Sequence, residues 1–201
     1  MDTKTKILDA AQTLIVELGA EKASMRKITE EAGVNVAAIN YHFGSKDNLI
    51  SAIVSRFLEP LEEDQRKRLN TMMQQENLPR LEEIIRSQLI PLYEFTVQNP
   101  DWMNVFHQLA HAYENEGIFK QNLKSMVQEK LIYLAECIAK VIPEMPKETL
   151  HRRIVFFRLS AFAMMQGECV REETIEILGV DSDPEIMMDD LVRYIAAGIR
   201  A

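Results

Sequence analysis

Residues 28–49 read ITEEAGVNVAAINYHFGSKDNL and contain two short helical segments separated by a glycine. Ser24 precedes the first segment and Asn35 precedes the second, and both residue types cap helix N-termini by accepting a backbone hydrogen bond. Gly33 ends the first segment. Two short helices joined by a tight turn that contains glycine are typical of a helix-turn-helix motif. The expected helices cover residues 24–32 and 35–42.

The side chains of this motif divide into an inner and an outer set. Helical spacing directs the inner set toward a core, and this set is Ile28, Ala32, Val34 and Ile39. The outer set is small or polar, and it is Asn35, Ala37, Ala38, Asn40 and Tyr41. Small residues let a helix backbone approach the major groove of DNA, and an amide reaches base edges. The second helix therefore has the composition of a recognition helix.

The same stretch resembles the DNA-binding domain of the TetR (tetracycline repressor) family. The most distinctive residues are the triplet Tyr41-His42-Phe43, then Ser45-Lys46 and Leu49, preceded by Ala32-Gly33-Val34. The resemblance covers about the first quarter of the chain, and the remainder matches the family in size and all-helical pattern. It implies a homodimeric transcription regulator, usually a repressor, whose C-terminal domain binds a small molecule that shifts two DNA-binding heads.

The resemblance also implies roles for single residues. Side chains that would face the major groove are Asn35, Val36, Ala37, Asn40 and Tyr41. Side chains that would meet phosphates are Arg26, Lys27, Tyr41, His42 and Lys46, and Phe43 would be core. Phosphate contacts position a protein on the duplex, whereas contacts to base edges specify the sequence. The partner implied is double-stranded DNA with a palindromic operator.

The net charge of the chain first argues against nucleic acid. It holds 31 acidic and 23 basic residues, a formal charge of -8, and phosphate binding needs positive charge. Residues 1–50 contain six basic and seven acidic side chains, whereas residues 51–201 contain 17 and 24. The acidity therefore belongs to the C-terminal part, and the motif keeps its basic side chains at helix starts.

Composition excludes several other classes of protein. No apolar run reaches the ~18 residues of a membrane span, because charges such as Glu136 interrupt the longest candidates. Asp2 and Asp9 interrupt the pattern of a secretory signal, so we expect a cytoplasmic protein. The resemblance implies a bacterial protein that associates with the nucleoid when it is bound to DNA. Two cysteines, Cys137 and Cys169, do not make a disulfide framework, and we expect both to be buried.

Glycines and prolines mark the organisation of the chain. Three short helices end at glycines, and longer helices bounded by prolines follow, so we predict an all-α fold. We predict a DNA-binding domain at residues 1–47 and a ligand-binding and dimerisation domain at residues 48–201. The later helices are expected from Ser45 to about Met73 with a kink at Pro60, and at 79–98 with an interruption near Pro91, 101–113, 117–142, 147–174 and 184–199.

Aromatic and methionine side chains of the C-terminal part predict a pocket for a small, largely apolar effector. The candidate lining residues are Tyr93, Trp102, Phe106, His107, Tyr113, Met126 and Tyr133. The alternative is that each of them belongs to the core. The pattern alone leaves both interpretations open.

His107 and His111 are four residues apart, so they share one helix face and have the spacing of a metal-binding pair. The pair resembles a zinc-peptidase motif, but Gln108 stands where that motif needs its catalytic glutamate. A helical-bundle enzyme or metal site at these histidines is the alternative to a regulator without cofactor. An activator or an architectural DNA-binding protein without effector is the other alternative.

The last two helices carry apolar stripes that predict a dimer interface. The candidate residues are Ile154, Phe157, Ala161, Met164 and Met165 on one helix and Leu191, Tyr194 and Ile195 on the other. Two such helices from each subunit would form a four-helix bundle. The alternative is that the stripes pack within one chain.

Overall fold

The computed structural model describes residues 2–19, 22–112, 117–166, 175–180 and 183–201, which are helical and contain no strand. The predicted all-α class is confirmed. The helices, in chain order, are α1 (Thr3–Leu18), α2 (Met25–Ala32), α3 (Val36–Phe43), α4 (Lys46–Met73), α5 (Leu81–Gln98), α6 (Pro100–Ala112), α7 (Gly117–Val141), α8 (Lys147–Gln166) and α9 (Pro184–Arg200).

Prolines and glycines set most of these bounds as predicted, with one exception. Pro60 lies inside α4, and Pro91 lies inside α5. The interruption expected near Pro91 is absent, because α5 runs without a break from Leu81 to Gln98. A proline inside a helix removes one backbone donor, and burial of Pro91 with the apolar side of α5 compensates for that loss. The last part of the helix predicted at 147–174 lies outside the described residues.

Contacts group the chain into two compact units. The head unit comprises Met1–Pro60 and Asn99–Glu129, and the body unit comprises Leu61–Gln98 and Lys130–Ala201. Helix α4 contributes its first part to the head unit and its remainder to the body unit. The functional division predicted at residue 47 stays a prediction, because these units are defined by packing alone.

The head unit is built on α1, which packs against α2, α3 and α6. Burial of apolar side chains stabilises it, at roughly 25 cal/mol per Å² of apolar surface removed from water. Leu18, the last residue of α1, is exposed. The buried side chains include Ile7, Ala11 and Ile15 of α1, Ile28 of α2, Ile39 and Phe43 of α3, and Leu49, Ile50 and Ile53 of α4.

The body unit has one core to which α4, α5, α7, α8 and α9 contribute. Two ion pairs join α5 to α9, Glu82 with Arg200 and Arg86 with Asp189. Arg153 of α8 donates a hydrogen bond to the backbone carbonyl of Ile199, one of the last carbonyls of α9. The core side chains include Leu69, Ile84, Ile85, Leu89, Leu134, Cys137, Ile138, Ile154, Phe157, Val192, Ile195 and Ile199.

The structure bears on two expectations from composition, which concern the cysteines and membrane-spanning helices. Cys137 is buried as expected, and burial raises the pKa of its thiol. Cys169 lies outside the described residues. Across the described ranges, no helix combines the length and the apolar character needed to cross a membrane.

Candidate functional site

The turn between α2 and α3 has a defined hydrogen-bond pattern. Gly33 adopts the left-handed conformation with φ 64° and ψ 35°. The backbone N–H of Val34 donates to the carbonyl of Thr29 at 3.0 Å, and that of Gly33 donates to the carbonyl of Glu30 at 3.3 Å. This pair of bonds is the Schellman motif that ends a helix. The turn therefore satisfies carbonyls that α2 would otherwise leave without donors.

Asn35 begins α3 directly after that motif. Its side-chain Oδ1 accepts a hydrogen bond from the backbone N–H of Ala38 at 2.9 Å. Ser24 performs the same function for α2, since its Oγ accepts from the N–H of Lys27 at 3.3 Å. Both predicted caps are therefore present. They fix where each helix of the motif begins and which side chains of α3 face away from the core.

The turn between α3 and α4 depends on a residue that sequence reasoning missed. Asn48 donates from Nδ2 to the carbonyl of Phe43 at 2.8 Å, and its own N–H donates to Ser45 Oγ at 3.1 Å. These bonds join the end of α3 to the start of α4, beside Lys46. The available signal was an asparagine three residues after a capping serine, because asparagine bonds readily to nearby backbone.

The residues predicted to bind DNA lie on the surface of this motif. Eight of the nine are exposed, and Lys46 is half-buried; the nine are Arg26, Lys27, Asn35, Val36, Ala37, Asn40, Tyr41, His42 and Lys46. Tyr41 is 85% exposed although it is a large aromatic residue, whereas Ile39 and Phe43 of the same helix are buried. Burial of the opposite face of α3 orients Tyr41 toward solvent, where its side chain is available to a ligand.

Two contacts organise the side chains of this surface. Arg26 Nε donates to Glu30 Oε1 at 2.9 Å, and both side chains are exposed. The rings of Tyr41 and His42 meet edge to face with centroids 5.1 Å apart. An exposed ion pair contributes little to stability, so Arg26 can exchange Glu30 for a phosphate at small cost.

Helices α4 and α6 support the motif within the head unit. Arg56 of α4 forms an ion pair with Asp9 of α1. Trp102 of α6 is 3% exposed and stacks on Phe57 of α4 with ring centroids 4.2 Å apart and planes inclined by 25°. Offset stacking of this kind adds to the apolar burial of both rings. The motif is therefore held on a frame that includes a tryptophan.

Comparison with known families agrees with this geometry. Residues 7–53 match the bacterial regulatory proteins of the tetR family, and residues 88–198 match the tetracyclin repressor-like C-terminal domain. The second match alone covers more than half of the 201 residues. The chain belongs to the TetR family. TetR-family proteins are transcriptional regulators and not enzymes, with a DNA-binding helix-turn-helix and a ligand-binding C-terminal domain.

Individual relatives are similar over part of their length. The HTH-type transcriptional regulator BetI of Vibrio vulnificus (strain YJ016) is 31% identical over 124 residues, which are 62% of this chain and 63% of that protein. The HTH-type transcriptional regulator UidR of Escherichia coli (strain K12) is 37% identical over 68 residues, 30% of this chain and 35% of that protein. The chain thus spans less than two thirds of these relatives.

A solved structure extends the similarity to the whole fold. The TetR family transcription regulator from Marinobacter aquaeolei VT8 superposes with a TM-score of 0.65 at 15% identity. The superposition covers 98% of this chain and 94% of that one. The two proteins therefore share the TetR fold across both the motif and the C-terminal helices.

The predicted pocket residues of this TetR-family chain lie in both units. In the head unit, Trp102 is buried and Phe106 is half-buried, with their ring centroids 5.9 Å apart. In the body unit, Tyr93 and Tyr133 pack half-buried against the core, and the hydroxyl of Tyr133 donates to Asn70 Oδ1. Tyr113 and the side chains of His107 and Met126 lie outside the described residues. The lining of a pocket stays a prediction.

A polar cluster inside the body unit was missed by sequence reasoning. Gln65 and Gln88 are 4% and 5% exposed, and Gln65 Nε2 donates to the carbonyl of Gln88 at 2.6 Å. Lys130 donates from Nζ to Gln65 Oε1. Burial lowers the pKa of Lys130 to about 8, partly offset by Glu62, while Arg158 lowers it further. No local sequence pattern predicts this cluster, because its members come from different helices.

An open groove of about 540 Å³ also lies in the body unit, between α4 and α5. None of the predicted pocket residues lines it. Four of its five charged side chains form ion pairs: Arg68 pairs with Asp64 and Glu94, Glu83 pairs with Arg80, and Arg86 pairs with Asp189. A groove most of whose charges are already paired offers little to a charged ligand, and its open form leaves little apolar burial for an apolar one.

The predicted dimer residues divide into buried and exposed sets. Ile154, Phe157, Ala161 and Ile195 are buried in the core of one chain, so almost nothing of their side chains remains for a partner. The exposed apolar side chains of α8 are Val155, Phe156 and Leu159 instead, which are 54%, 64% and 58% exposed. On α9, Tyr194 is 71% exposed and Leu191 is half-buried. The side chains of Met164 and Met165 lie outside the described residues.

The alternative of an enzyme or metal site at the histidine pair stays untested, because the side chains of His107 and His111 lie outside the described residues. Within the described part of the chain, no group of three or more His, Cys, Asp or Glu side chains is placed to hold a metal ion. Family membership therefore carries the assignment as a regulator.

Proposed function

We propose that this TetR-family protein is a repressor that binds a palindromic operator as a homodimer and is released by a small, largely apolar effector. Such a protein acts on the bacterial chromosome and hence in the cytoplasm. The observation that supports it most is the outer face of α3, where Tyr41 stands 85% exposed beside Asn40 and Ala37. The match of residues 88–198 to the C-terminal domain, which binds ligands in the TetR family, supports the effector.

Dimerisation is supported by the exposed stripe of α8. Val155, Phe156 and Leu159 follow the spacing i, i+1, i+4 and occupy adjoining positions of one helix side. Large apolar side chains in contiguous exposed positions mark interaction surfaces. A two-fold axis at α8 and α9 would relate two copies of α3, and half-sites about 34–36 Å apart would then match the two recognition helices.

Operator binding is tested by fluorescence anisotropy on DNA that flanks the protein's own gene. We expect Tyr41→Ala and Lys46→Ala to weaken binding to operator and to unrelated DNA alike, because both side chains contact phosphates in the proposed complex. Asn40→Ala should also reduce discrimination against single base changes, by roughly tenfold at the affected position. Lys140→Met, which removes an exposed positive charge from α7, serves as the control and should leave affinity nearly unchanged.

The same assay separates the alternatives. A protein that binds DNA without preference for the operator would be architectural, and wild-type operator affinity in both phosphate-contact variants would contradict the proposed site. Effector release is measured by adding apolar candidate ligands to the complex. A reporter gene behind the operator distinguishes a repressor, whose deletion raises expression, from an activator, whose deletion lowers it.

A further inference from the structure

The polar cluster of the body unit contains more positive than negative charge. Its described members are Glu62 and Gln65 of α4, Gln88 of α5, Lys130 of α7 and Arg158 of α8. The charges that act on Lys130 among the described residues are those of Glu62 and Arg158, and Glu62 also acts on Arg158. Two cations facing one carboxylate leave one positive charge in excess.

These residues form one layer across the body unit. Gln65 is followed one turn later by the core residue Leu69, and Lys130 is followed one turn later by Leu134. On the other two helices the order is reversed: Ile84 precedes Gln88 by one turn, and Ile154 precedes Arg158 by one turn. Since residues four apart share a helix face, each of the four polar residues lies on the same face of its helix as a core residue.

Hydrogen bonds hold this layer in place. Lys130 Nζ donates to Gln65 Oε1, and Gln65 Nε2 donates to the carbonyl of Gln88. Gln88 Nε2 donates to Ser87 Oγ at 3.1 Å, and Ser87 Oγ donates to the carbonyl of Ile84 at 2.7 Å. The amide acceptor of Gln65 is neutral, so it orients the ammonium group of Lys130 without cancelling its charge.

The two cations are not sealed in the interior. Arg158 is exposed as a whole residue and Lys130 is half-buried, so solvent reaches both. Both charged groups are nevertheless partly desolvated, because burial is the largest influence on the pKa of each and lowers both. Partial dehydration strengthens the attraction of such groups for an anion, since less water has to be displaced and screening is weaker.

We propose that Lys130 and Arg158 bind the carboxylate of an apolar acid, so that the effector is an amphipathic anion rather than a neutral or cationic molecule. This inference rests on the proposed ligand-responsive function and names the chemical class of its ligand. The carboxylate accepts from Lys130 and Arg158, and its apolar part extends away from the polar layer. Gln65 acts as the positioning residue, because it fixes the ammonium group through a hydrogen bond.

The test uses the full-length protein and isothermal titration with octanoate, decanoate, dodecanoate and naphthoate, each compared with its matched alcohol. We expect saturable binding of at least one acid and a clear preference for that acid over its alcohol. Lys130→Met should raise the Kd of the acid by roughly tenfold or more and leave the alcohol nearly unaffected. Arg158→Met should act in the same direction. Lys140→Met on the same helix is the control and should preserve the preference.

A conservative variant separates binding from a structural role. Lys130→Arg keeps the positive charge and should keep the Kd of the acid within a few-fold of the wild-type value. If Lys130 were needed only for folding, keeping its charge would not preserve acid affinity in this specific way. For the wild type the affinity for acids should fall by about tenfold from about pH 7 to about pH 9, because Lys130 loses its proton in that interval and the ligand stays ionised. In Lys130→Arg this dependence should disappear.

The inference is overturned if none of the four acids binds saturably to the wild type, or if the preference for acids is undiminished in both Lys130→Met and Arg158→Met. Operator release is scored separately on the same samples. Acid binding that depends on Lys130 but does not release DNA would leave the anion site established and refute the proposed response. Release by alcohols alone would support the response and refute the anion site.

Discussion

Gly33 carries a backbone requirement that can be tested by substitution. Its φ of 64° lies in the left-handed region, and a Cβ at this position would meet no atom within 4 Å. Gly33→Ala should therefore lower the free energy of unfolding by about 1 kcal/mol through backbone strain alone. The change is measured from urea unfolding midpoints at fixed protein concentration.

Gly33→Asn is the matched control, because asparagine tolerates the left-handed conformation better than alanine. It should lose less stability than Gly33→Ala. Equal stability of the alanine variant and the wild type would contradict the strain argument.

Single residues also show which features of the site could be predicted from the sequence and which could not. The helix cap at Asn35 and the outward position of Tyr41 could be predicted, because the motif is contiguous and its caps and buried positions repeat at fixed spacing. Gln65 and Lys130 could not, since they lie 65 residues apart and meet only when α4 and α7 pack. From the sequence, a lysine on an amphipathic helix is predicted to be solvated unless the side chains that pack against it from other helices are known.

At the scale of the element, the pair formed by Glu82 of α5 and Arg200 of α9 gives a pH-dependent prediction. The hydrogen bond from Arg200 lowers the pKa of Glu82 from 4.5 to about 2. A lowered pKa stabilises the folded state above the unfolded value of 4.5, and the effect is lost as the pH falls toward 2. Both side chains are partly exposed, so Glu82→Gln should cost only about 0.5–1 kcal/mol near neutral pH.

The measurement compares unfolding midpoints of Glu82→Gln and wild type over a pH series. The difference should narrow below 4.5 and should be smaller at high salt, which screens exposed pairs. Glu76→Gln changes an exposed carboxylate after α4 and serves as the control. A difference that stays constant down to acidic pH would rule out the ionic origin.

Helix α8 shows why the sequence alone could not choose the side of the helix that is left free for a partner. Apolar residues surround it: Ile154, Phe157 and Ala161 are buried, while Phe156 and Leu159 are exposed. Periodicity cannot choose between two apolar faces of one helix. The choice is made by α5 and α9, which cover one side of α8.

For the whole molecule, the exposed stripe of α8 predicts the oligomeric state. Phe156→Glu introduces a charge where the side chain is 64% exposed, so the fold of one chain should be unaffected. In the proposed dimer the same charge would be buried without a partner, and burial of an unpaired charge is strongly unfavourable. Light scattering at micromolar concentration should show a dimer for the wild type and a monomer for the variant.

Leu78→Glu alters a 54% exposed leucine outside the helices and is the matched control. It should leave the dimer intact. A dimeric Phe156→Glu variant would refute the proposed surface, and a monomeric wild type would refute dimerisation itself.

The pairing of α5 with α9 has a consequence for folding during synthesis. The two ion pairs between these helices join residues 118 and 103 positions apart, whereas α1, α2 and α3 contact one another within the first 43 residues. On the ribosome the helix-turn-helix can form while most of the chain is still to be made, since chains fold from the N-terminus as they emerge. The core of the body unit can be completed only after α9 has been synthesised. The growing chain therefore passes through a stage in which the DNA-binding surface exists and the body core is still open, exposing apolar side chains of α5 and α8 to chaperones.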